Sequence, residues 1–210
     1  MPLDWKNESG KHFEEIGESV LKDIYPWLLV DFKNIYGNSL HDKTILEIGC
    51  GPGFMLQQFV STGPKLVLAG DISQGMLQKA LCRISCPNCH PVLLSAESLP
   101  FISDSIDIVY SRGSIFFWPD IRASIKEIAR ILRPDGFALI GGGYGFSTPI
   151  AILDKILREH DKERKKSVPR IDLNELFKMA ETEFNFIRIH QQKKRGFWLE
   201  LRKTSARLHN

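Results

Sequence analysis

The 210-residue sequence predicts an α/β fold built on a doubly wound sheet of seven strands. Short runs rich in branched aliphatic residues alternate with segments whose apolar residues recur at helical spacing. Because parallel strands need crossover connections, this alternation predicts a mostly parallel sheet with helices on both faces. Two strand-like runs near the C-terminus predict an antiparallel hairpin, and a helical N-terminal cap precedes the first strand.

Five buried strands account for the parallel part of the predicted sheet. Each is short and is closed by small or polar residues: TILEIG (44–49), LVLAGD (66–71), PVLLS (91–95), DIVYS (107–111) and FALIGGG (137–143). Amphipathic helices are predicted between them at GFMLQQFVSTG, SQGMLQKALCRI and DIRASIKEIARILRPDG. In the third helix, Asp120 is a suitable cap, and Pro134 with Gly136 is expected to end it.

The two ends of the chain differ from the alternating middle. Residues 11–37 are predicted to form a helix broken near Pro26. Helices over 149–163 and 172–183 follow the fifth strand, and strands over 184–191 and 196–203 then form the hairpin. We therefore expect one domain over residues 1–210, with a cap (1–42), a cofactor-binding core (43–145) and C-terminal helices with the hairpin (146–210).

Composition favours an intracellular protein. No apolar run approaches the roughly 20 residues that a membrane-spanning helix needs. The N-terminal residues are polar and mixed in charge, unlike a signal peptide, and the four cysteines have no disulfide-rich pattern. We expect a cytoplasmic location.

Charge is distributed unevenly along the chain. Residues 1–154 hold 13 Lys and Arg against 17 Asp and Glu (−4), and residues 155–210 hold 15 against 8 (+7). The basic last quarter is compatible with a docking face for an acidic partner, or with a solvated helix end and hairpin tip.

A glycine-rich segment, LEIGCGPGF, follows the first predicted strand directly. It places Gly49, Gly51 and Gly53 within five positions. A dinucleotide-binding loop would need a third glycine at position 54, where Phe54 stands, and a phosphate-binding P-loop would need a following Gly-Lys-Ser/Thr. The spacing therefore argues against both kinds of phosphate site.

Two carboxylates flank this loop in the predicted sheet. Glu47 lies just before it, and Asp71 ends the second strand, 20 residues after Gly51. At that position a carboxylate can accept both hydroxyls of a ribose. This combination indicates a nucleoside whose tail needs close backbone approach but no phosphate cradle, a description that fits S-adenosylmethionine.

Four segments resemble, in order and spacing, the motifs of class I S-adenosylmethionine-dependent methyltransferases. They are ILEIGCGPGF, GDIS, SAESLPF and EIARILRPDGFALI, and they cover roughly residues 43–145. The likeness is to the small single-domain group that includes ubiquinone/menaquinone-biosynthesis-like enzymes. It implies a Rossmann-like fold and S-adenosylmethionine as methyl donor, with no metal expected.

The resemblance also implies roles for individual residues. The glycine loop, including Cys50, would pass beneath the methionine part of the cofactor, with Glu47 in support. Asp71 would bind the ribose hydroxyls, and Ile72 would pack on the adenine. Ser95, Ala96 and Glu97 would border the polar edge of the adenine, and Ser111 at the end of the fourth strand would also serve the cofactor. An aspartate is common in the family where Ser95 stands, which implies weaker hydrogen bonding to the adenine amino group.

A cysteine motif, CRISCPNCH, raises a separate interpretation. Cys82, Cys86 and Cys89 have the spacing of an iron–sulfur loop, and His90 completes four candidate zinc ligands. The first cysteine falls on a predicted helix, and the chain is too short for the barrel of radical enzymes. We expect three incidental cysteines rather than a bound metal.

The loop after the fourth strand, SRGSIFFWPD, is expected to face the methyl acceptor. It lacks the Asn/Asp-Pro-Pro-Tyr/Phe motif of enzymes that methylate adenine or glutamine amino groups. Arg112 is predicted to orient an anionic acceptor; the alternatives are the carboxylate of the cofactor or a structural partner such as Asp120 or Glu14. Further candidates for the acceptor pocket or for a base are His12, Tyr25, Phe116, Phe117, Trp118 and Tyr144.

The leading function is direct SN2 methyl transfer to a small or medium-sized acceptor, which the Arg112 hypothesis takes to be anionic. A first alternative is an RNA- or protein-modifying methyltransferase that docks through the basic last quarter. A second is a non-catalytic, cofactor-binding partner subunit. The sequence does not predict the acceptor, the base or the oligomeric state.

Overall fold

A computed structural model of the chain describes residues 21–37, 39–164 and 169–204. The strands are β1 (Thr44–Ile48), β2 (Leu66–Asp71), β3 (Cys89–Leu93), β4 (Ile106–Arg112), β5 (Leu132–Gly143), β6 (Phe186–Gln192) and β7 (Gly196–Lys203). The helices are α1 (Tyr25–Tyr36), α2 (Phe54–Val60), α3 (Gln74–Arg83), α4 (Ile121–Ile131), α5 (Ile150–Arg164) and α6 (Leu173–Ala180). Short 3₁₀ turns cover Lys22–Ile24 and Ile115–Phe117.

The seven strands form one sheet in the order β3-β2-β1-β4-β5-β7-β6. Strands β1 to β5 pair in parallel, and β7 is antiparallel to both β5 and β6. This arrangement confirms the predicted fold class. The chain runs outward from β1 to β3 and then returns to β4, so the strand order reverses between β1 and β4. The carboxyl ends of these two strands are where an open α/β sheet binds its ligand.

Apolar packing on both faces explains why the strands read as continuous hydrophobic runs. On β1, Ile45 belongs to one core cluster and Leu46 to another, because neighbouring side chains of a strand point to opposite faces. One face packs under α4 and α6. The other holds an aromatic cluster under α1, which includes Phe32, Tyr110 and Trp198.

Helix α4 ends earlier than predicted. The sequence suggested a helix up to Gly136, but α4 stops at Ile131 and β5 begins at Leu132. Pro134 disfavours the helical conformation at the residue before it, so the helix is ended upstream of the proline. Asp120 caps α4 as expected, its Oδ1 accepting a hydrogen bond from the backbone N–H of Ala123 at 2.9 Å.

The described part of the N-terminal cap changes helix type beside Pro26. The 3₁₀ turn Lys22–Ile24 leads directly into α1, and Pro26 occupies the first turn of α1, where the missing N–H has no helical partner to lose. The chain is thus helical on both sides of this point, and the change falls where the sequence predicted a break. The predicted helix over 11–20 lies outside the described residues.

Several basic side chains of the last quarter hydrogen-bond to the rest of the fold. Arg195 Nη1 donates to the carbonyls of Gly145 and Thr148, and Arg202 Nη2 donates to the carbonyl of Ile35. Part of the positive charge in this region thus has a structural role. None of the described helices combines the length and apolar character required to cross a membrane.

Candidate active site

A cavity of about 430 Å³ opens at the carboxyl ends of the central strands. Thirteen residues predicted from the sequence to serve the cofactor or the acceptor line it together: Tyr25, Glu47, Gly49, Cys50, Gly51, Asp71, Ile72, Ser95, Ala96, Glu97, Arg112, Phe117 and Trp118. Apart from Tyr25 on α1, the chain brings them together because the loops after β1, β2, β3 and β4 leave the sheet at the same edge.

The glycine loop requires its glycines for two different reasons. Gly49, Gly51 and Gly53 have φ values of 73°, 53° and 87°, in the left-handed region that favours glycine. A Cβ on Gly49 would lie 2.3 Å from Ser114 Cβ, whereas a Cβ on Gly51 would meet nothing within 4 Å. Gly49 thus permits close packing against the loop after β4, and Gly51 faces open space at the cavity.

Gly53 lies outside the cavity lining. It precedes α2, and a Cβ there would lie 3.1 Å from Ala80 on α3. This glycine lets the two helices approach each other. A direct contact between Gly53 and the cofactor stays a prediction.

Asp71 ends β2 with its carboxylate fixed by backbone groups. Its Oδ2 accepts a hydrogen bond from Gly51 N at 2.9 Å, and its Oδ1 accepts one from Ser73 N at 2.9 Å. Burial raises the pKa of Asp71, and the N–H groups of Ser73 and Gly51 oppose that rise. A carboxylate offers about four acceptor positions, so both oxygens keep capacity for hydroxyl donors.

Glu47 is a buried carboxylate at the base of the cavity. Its side chain lies opposite Tyr110 on β4, and among the described residues its Oε2 has no hydrogen-bond partner. Burial raises the pKa of Glu47 well above its ordinary value; the nearby Arg112 charge lowers it, and Asp71 raises it further. Such a group is suited to accept a hydrogen bond from a cationic or polar ligand.

The end of the cavity predicted to hold the adenine combines an apolar surface with acceptor atoms. Ile72 lines it and is 54% exposed, which leaves its side chain open for a flat apolar ring to pack on. Ser95 Oγ donates to Glu97 Oε2, so the oxygen of Ser95 remains an acceptor. Glu97 Oε1 is buried, with no hydrogen-bond partner in the described part of the chain.

Arg112 lines the cavity, and neutral oxygens hold its guanidinium. Its Nε and Nη2 donate to the carbonyl of Gly143 at 3.2 and 2.9 Å, and its Nη1 donates to the hydroxyl of Tyr25 at 3.3 Å. Asp120, a structural partner considered from the sequence, instead caps α4. The other, Glu14, lies outside the described residues.

Ser114 organises the loop after β4, and sequence reasoning missed it. Its hydroxyl donates to the carbonyl of Ile48 at 3.0 Å, accepts from Trp118 Nε1 at 3.1 Å and lies 2.6 Å from Ser111 Oγ. Trp118 and Phe117 line the cavity. Ser111 is fully buried outside the lining, and Phe116 packs edge-on against Phe197.

Two candidate acceptor residues, Phe116 and Tyr144, lie outside the cavity lining, and a third candidate lies outside the described residues. Tyr144 is buried in the aromatic core under α1, outside the cavity lining. His12 lies outside the described residues. Their roles in acceptor binding or proton transfer stay predictions.

The cysteine motif lies away from the cavity lining, on α3 and at the start of β3. Cys82 is exposed, Cys86 Sγ donates to Asn88 Oδ1 at 2.6 Å, and Cys89 is buried. Within residues 21–37, 39–164 and 169–204, no three His, Cys, Asp or Glu side chains are grouped so that they could hold a metal ion.

Comparison with known families decides what kind of domain surrounds this cavity. The family described as "Methyltransferase domain" matches residues 46–140, which include the glycine loop, Asp71 and Arg112. Residues 46–140 are a class I methyltransferase domain. The methyltransferase domain is of the type that uses S-adenosylmethionine as methyl donor.

Solved and curated relatives agree with this family. The crystal structure of a putative S-adenosyl-L-methionine-dependent methyltransferase from Methanococcus maripaludis is 26% identical, with a TM-score of 0.84, and the match covers 98% of this chain and 97% of that one. An uncharacterized methyltransferase of Bacillus subtilis is 35% identical over 98 residues, 46% of this chain and 54% of that protein. The 2-methyl-6-phytyl-1,4-hydroquinone methyltransferase of Spinacia oleracea is 36% identical over 102 residues, 48% of this chain and 30% of its own length. The matches thus cover about half or less of these curated relatives.

The residues around the cavity fit S-adenosylmethionine. The open space at Gly51 accommodates a ligand close to the backbone. The carboxylate of Asp71 can accept the ribose hydroxyls. The unpartnered oxygens of Glu47 and Glu97 provide acceptors at two further points of the cavity, suited to amino groups.

Proposed function

We propose that this protein transfers the methyl group of S-adenosylmethionine to a small or medium-sized acceptor. The observation that carries the proposal is the Asp71 carboxylate, which Gly51 N and Ser73 N hold at the edge of the glycine-loop cavity. The match of residues 46–140 to the methyltransferase domain supports it. The cytoplasmic location inferred from the sequence belongs to the same proposal.

In this proposal the chain contributes alignment and exclusion of water. The sulfonium of the cofactor supplies an activated methyl group, so direct displacement needs no covalent enzyme intermediate. Glu47 and the glycine loop would hold the methionine part, Asp71 the ribose, and Ile72 with Ser95, Ala96 and Glu97 the adenine. Phe117 and Trp118 would shield the reacting atoms from water and fix the approach of the acceptor.

The first test is cofactor binding by an Asp71→Ala variant. Loss of the charge-assisted hydrogen bonds to the ribose should weaken binding of S-adenosylhomocysteine by roughly 2–4 kcal/mol. Isothermal titration calorimetry measures this, with Asp154→Ala, an exposed aspartate of α5, as the matched control. Unchanged affinity in a folded Asp71→Ala protein would remove the ribose assignment.

We further propose that the acceptor carries an anionic group that binds Arg112. A guanidinium beside a cationic sulfonium is unfavourable unless an anion lies near both. Arg112 lines the cavity, and its three hydrogen bonds go to neutral oxygens, which leave its positive charge available to a ligand. The glycine-loop N–H groups donate within the protein, those of Gly49 and Cys50 to Gly70 O and that of Gly51 to Asp71 Oδ2, so the test of Arg112 also measures whether Arg112 serves the carboxylate of the cofactor.

The second test measures whether Arg112 binds the acceptor or the cofactor. Once a labelled-methyl screen has supplied an acceptor, Arg112→Ala should raise its KM and lower kcat/KM by about 10²-fold, with S-adenosylhomocysteine affinity nearly unchanged. If cofactor affinity falls while the acceptor KM holds, Arg112 belongs to the cofactor site. The control is Arg133→Ala, a surface arginine paired with Asp107.

A further inference from the structure

The orientation of Arg112 depends on contacts from two different elements. Both its Nε and its Nη2 donate to one oxygen, the carbonyl of Gly143 at the end of β5. A single acceptor atom leaves the guanidinium plane free to pivot about it. The second point of attachment is Tyr25 on α1, whose hydroxyl accepts from Nη1 and whose ring centroid lies 5.3 Å from the guanidinium carbon.

Tyr25 is itself held firmly against the glycine loop. Its ring stacks on Phe54, with centroids 5.1 Å apart and planes inclined by 17°. The guanidinium of Arg83 covers the other side of this stack, 4.0 Å from the Phe54 centroid, and its Nε donates to the carbonyl of Pro52 at 2.8 Å. Stacking on Phe54 and the cation–π contact behind it add attraction to the packing of the Tyr25 ring, so the ring is well fixed.

The Tyr25 hydroxyl can orient Arg112 without neutralising it. Burial raises the pKa of Tyr25, and Arg112 opposes that rise, so the phenol stays protonated and neutral. Three of the five N–H donors of the guanidinium are used by Gly143 and Tyr25. The other two remain for an anion in the cavity.

We propose that Tyr25 is a positioning residue that aims the Arg112 guanidinium at the anionic group of the acceptor. This inference rests on the proposed function, because it assumes that Arg112 meets an anion other than the cofactor carboxylate. It assigns to the N-terminal cap a part in acceptor recognition. It also replaces, for Tyr25, the roles of base or direct acceptor contact.

The test compares Tyr25→Phe with Tyr36→Phe. Tyr25→Phe keeps the ring on Phe54 and removes only the hydroxyl; Tyr36, on the same helix, packs on Phe32 and Phe137 outside the cavity. The protein is labelled with [¹⁵N]arginine and saturated with S-adenosylhomocysteine. The Nε–H resonance of Arg112, assigned by its absence in Arg112→Lys, is followed while inorganic phosphate, and separately acetate, is added.

In the wild-type protein we expect a saturable shift of the Arg112 resonance with at least one of the two anions. Tyr25→Phe should raise the Kd of that anion about tenfold, whereas Tyr36→Phe should leave it unchanged. Calorimetry should find the same S-adenosylhomocysteine affinity in all three proteins, and thermal melting confirms that each is folded.

Three results would contradict the proposal, and they are distinguishable. An unchanged anion Kd in Tyr25→Phe means that Gly143 alone positions Arg112. Weakened S-adenosylhomocysteine binding in Tyr25→Phe, with an unchanged anion Kd, assigns Tyr25 to the cofactor. If neither anion shifts Arg112 in the wild-type complex, the anionic-acceptor part of the proposed function fails, and the positioning role fails with it.

Discussion

At the scale of single residues, the cavity combines contacts made within one strand–loop–helix unit with contacts between residues far apart in the chain. The glycine spacing and the position of Asp71 follow from what the backbone must do within one strand–loop–helix unit. Arg112, in contrast, meets Tyr25, which lies 87 positions away in the chain. No pattern of spacing encodes such a contact, because it depends on how α1 crosses the sheet.

Ser114 shows the same limit, since its hydroxyl joins the end of β1 to the wall of the cavity. We predict that Ser114→Ala removes the acceptor of the Trp118 indole N–H and destabilises the protein by about 1–3 kcal/mol. The Trp118 indole resonance in a [¹⁵N]tryptophan spectrum should move, and its exchange with solvent should accelerate. Ser105→Ala, which removes a surface hydroxyl bonded to the Ile102 carbonyl, is the control. An unmoved Trp118 resonance would show that packing alone holds the wall.

At the scale of elements, most strands and helices were predicted within two or three residues. The periodicity of buried positions sets them, and β2 and β7 match their predicted limits. The errors fall at junctions. Helix α4 passes into β5 without a loop, a junction that the sequence around Pro134 predicted five residues too late. Junctions depend on tertiary pairing, here between Ile106 and Leu132, rather than on local propensity.

The glycine loop as an element allows a paired prediction. Gly49→Ala should destabilise the protein by roughly 2–4 kcal/mol, because the new Cβ would lie 2.3 Å from Ser114 Cβ and the φ of +73° is strained for alanine. The new Cβ of Gly51→Ala would meet nothing within 4 Å, so only the positive φ should destabilise this variant, by about 1–2 kcal/mol. It should nevertheless weaken S-adenosylhomocysteine binding, since the new methyl group would stand at the cavity.

Urea denaturation and calorimetry on the two variants separate these effects. Equal losses of stability would indicate that the loop shifts to relieve the contact with Ser114. Undiminished cofactor affinity in Gly51→Ala would show that the ligand does not approach the backbone there.

At the scale of the whole molecule, the fold and the place of the cavity follow from the alternation of strands and helices. The charge state of the cavity does not, because it depends on burial. In the sequence, nothing distinguishes the charge state of Glu47 from that of the other acidic residues, of which there are 25 in all. In the structure it is a buried residue of β1 in register with Tyr110 of β4, and Arg112 and Asp71 lie near it.

This burial links the stability of the ligand-free protein to pH. Burial raises the pKa of Glu47 well above its ordinary value of 4.5, so the folded state holds this proton more tightly than the unfolded state. The contribution of Glu47 is therefore fully present below the unfolded pKa. This contribution is lost as pH rises from the unfolded pKa through the folded pKa. The total loss is about 1.4 kcal/mol for each pH unit by which folding raises the pKa of Glu47.

We predict that Glu47→Gln removes this loss. The free energy of unfolding of the variant minus that of wild type should increase as pH rises above about 4.5, because only wild type loses stability there. Urea denaturation of the ligand-free proteins across this range measures the difference, in which the titrating groups that do not interact with Glu47 cancel. Glu181 is an exposed glutamate after α6, so the free energy of unfolding of Glu181→Gln should vary with pH as that of wild type does. If the free energy of unfolding of Glu47→Gln also varies with pH as wild type does, then Arg112 fully offsets the cost of burying the charge. The cavity then holds an ionised Glu47 before any ligand binds.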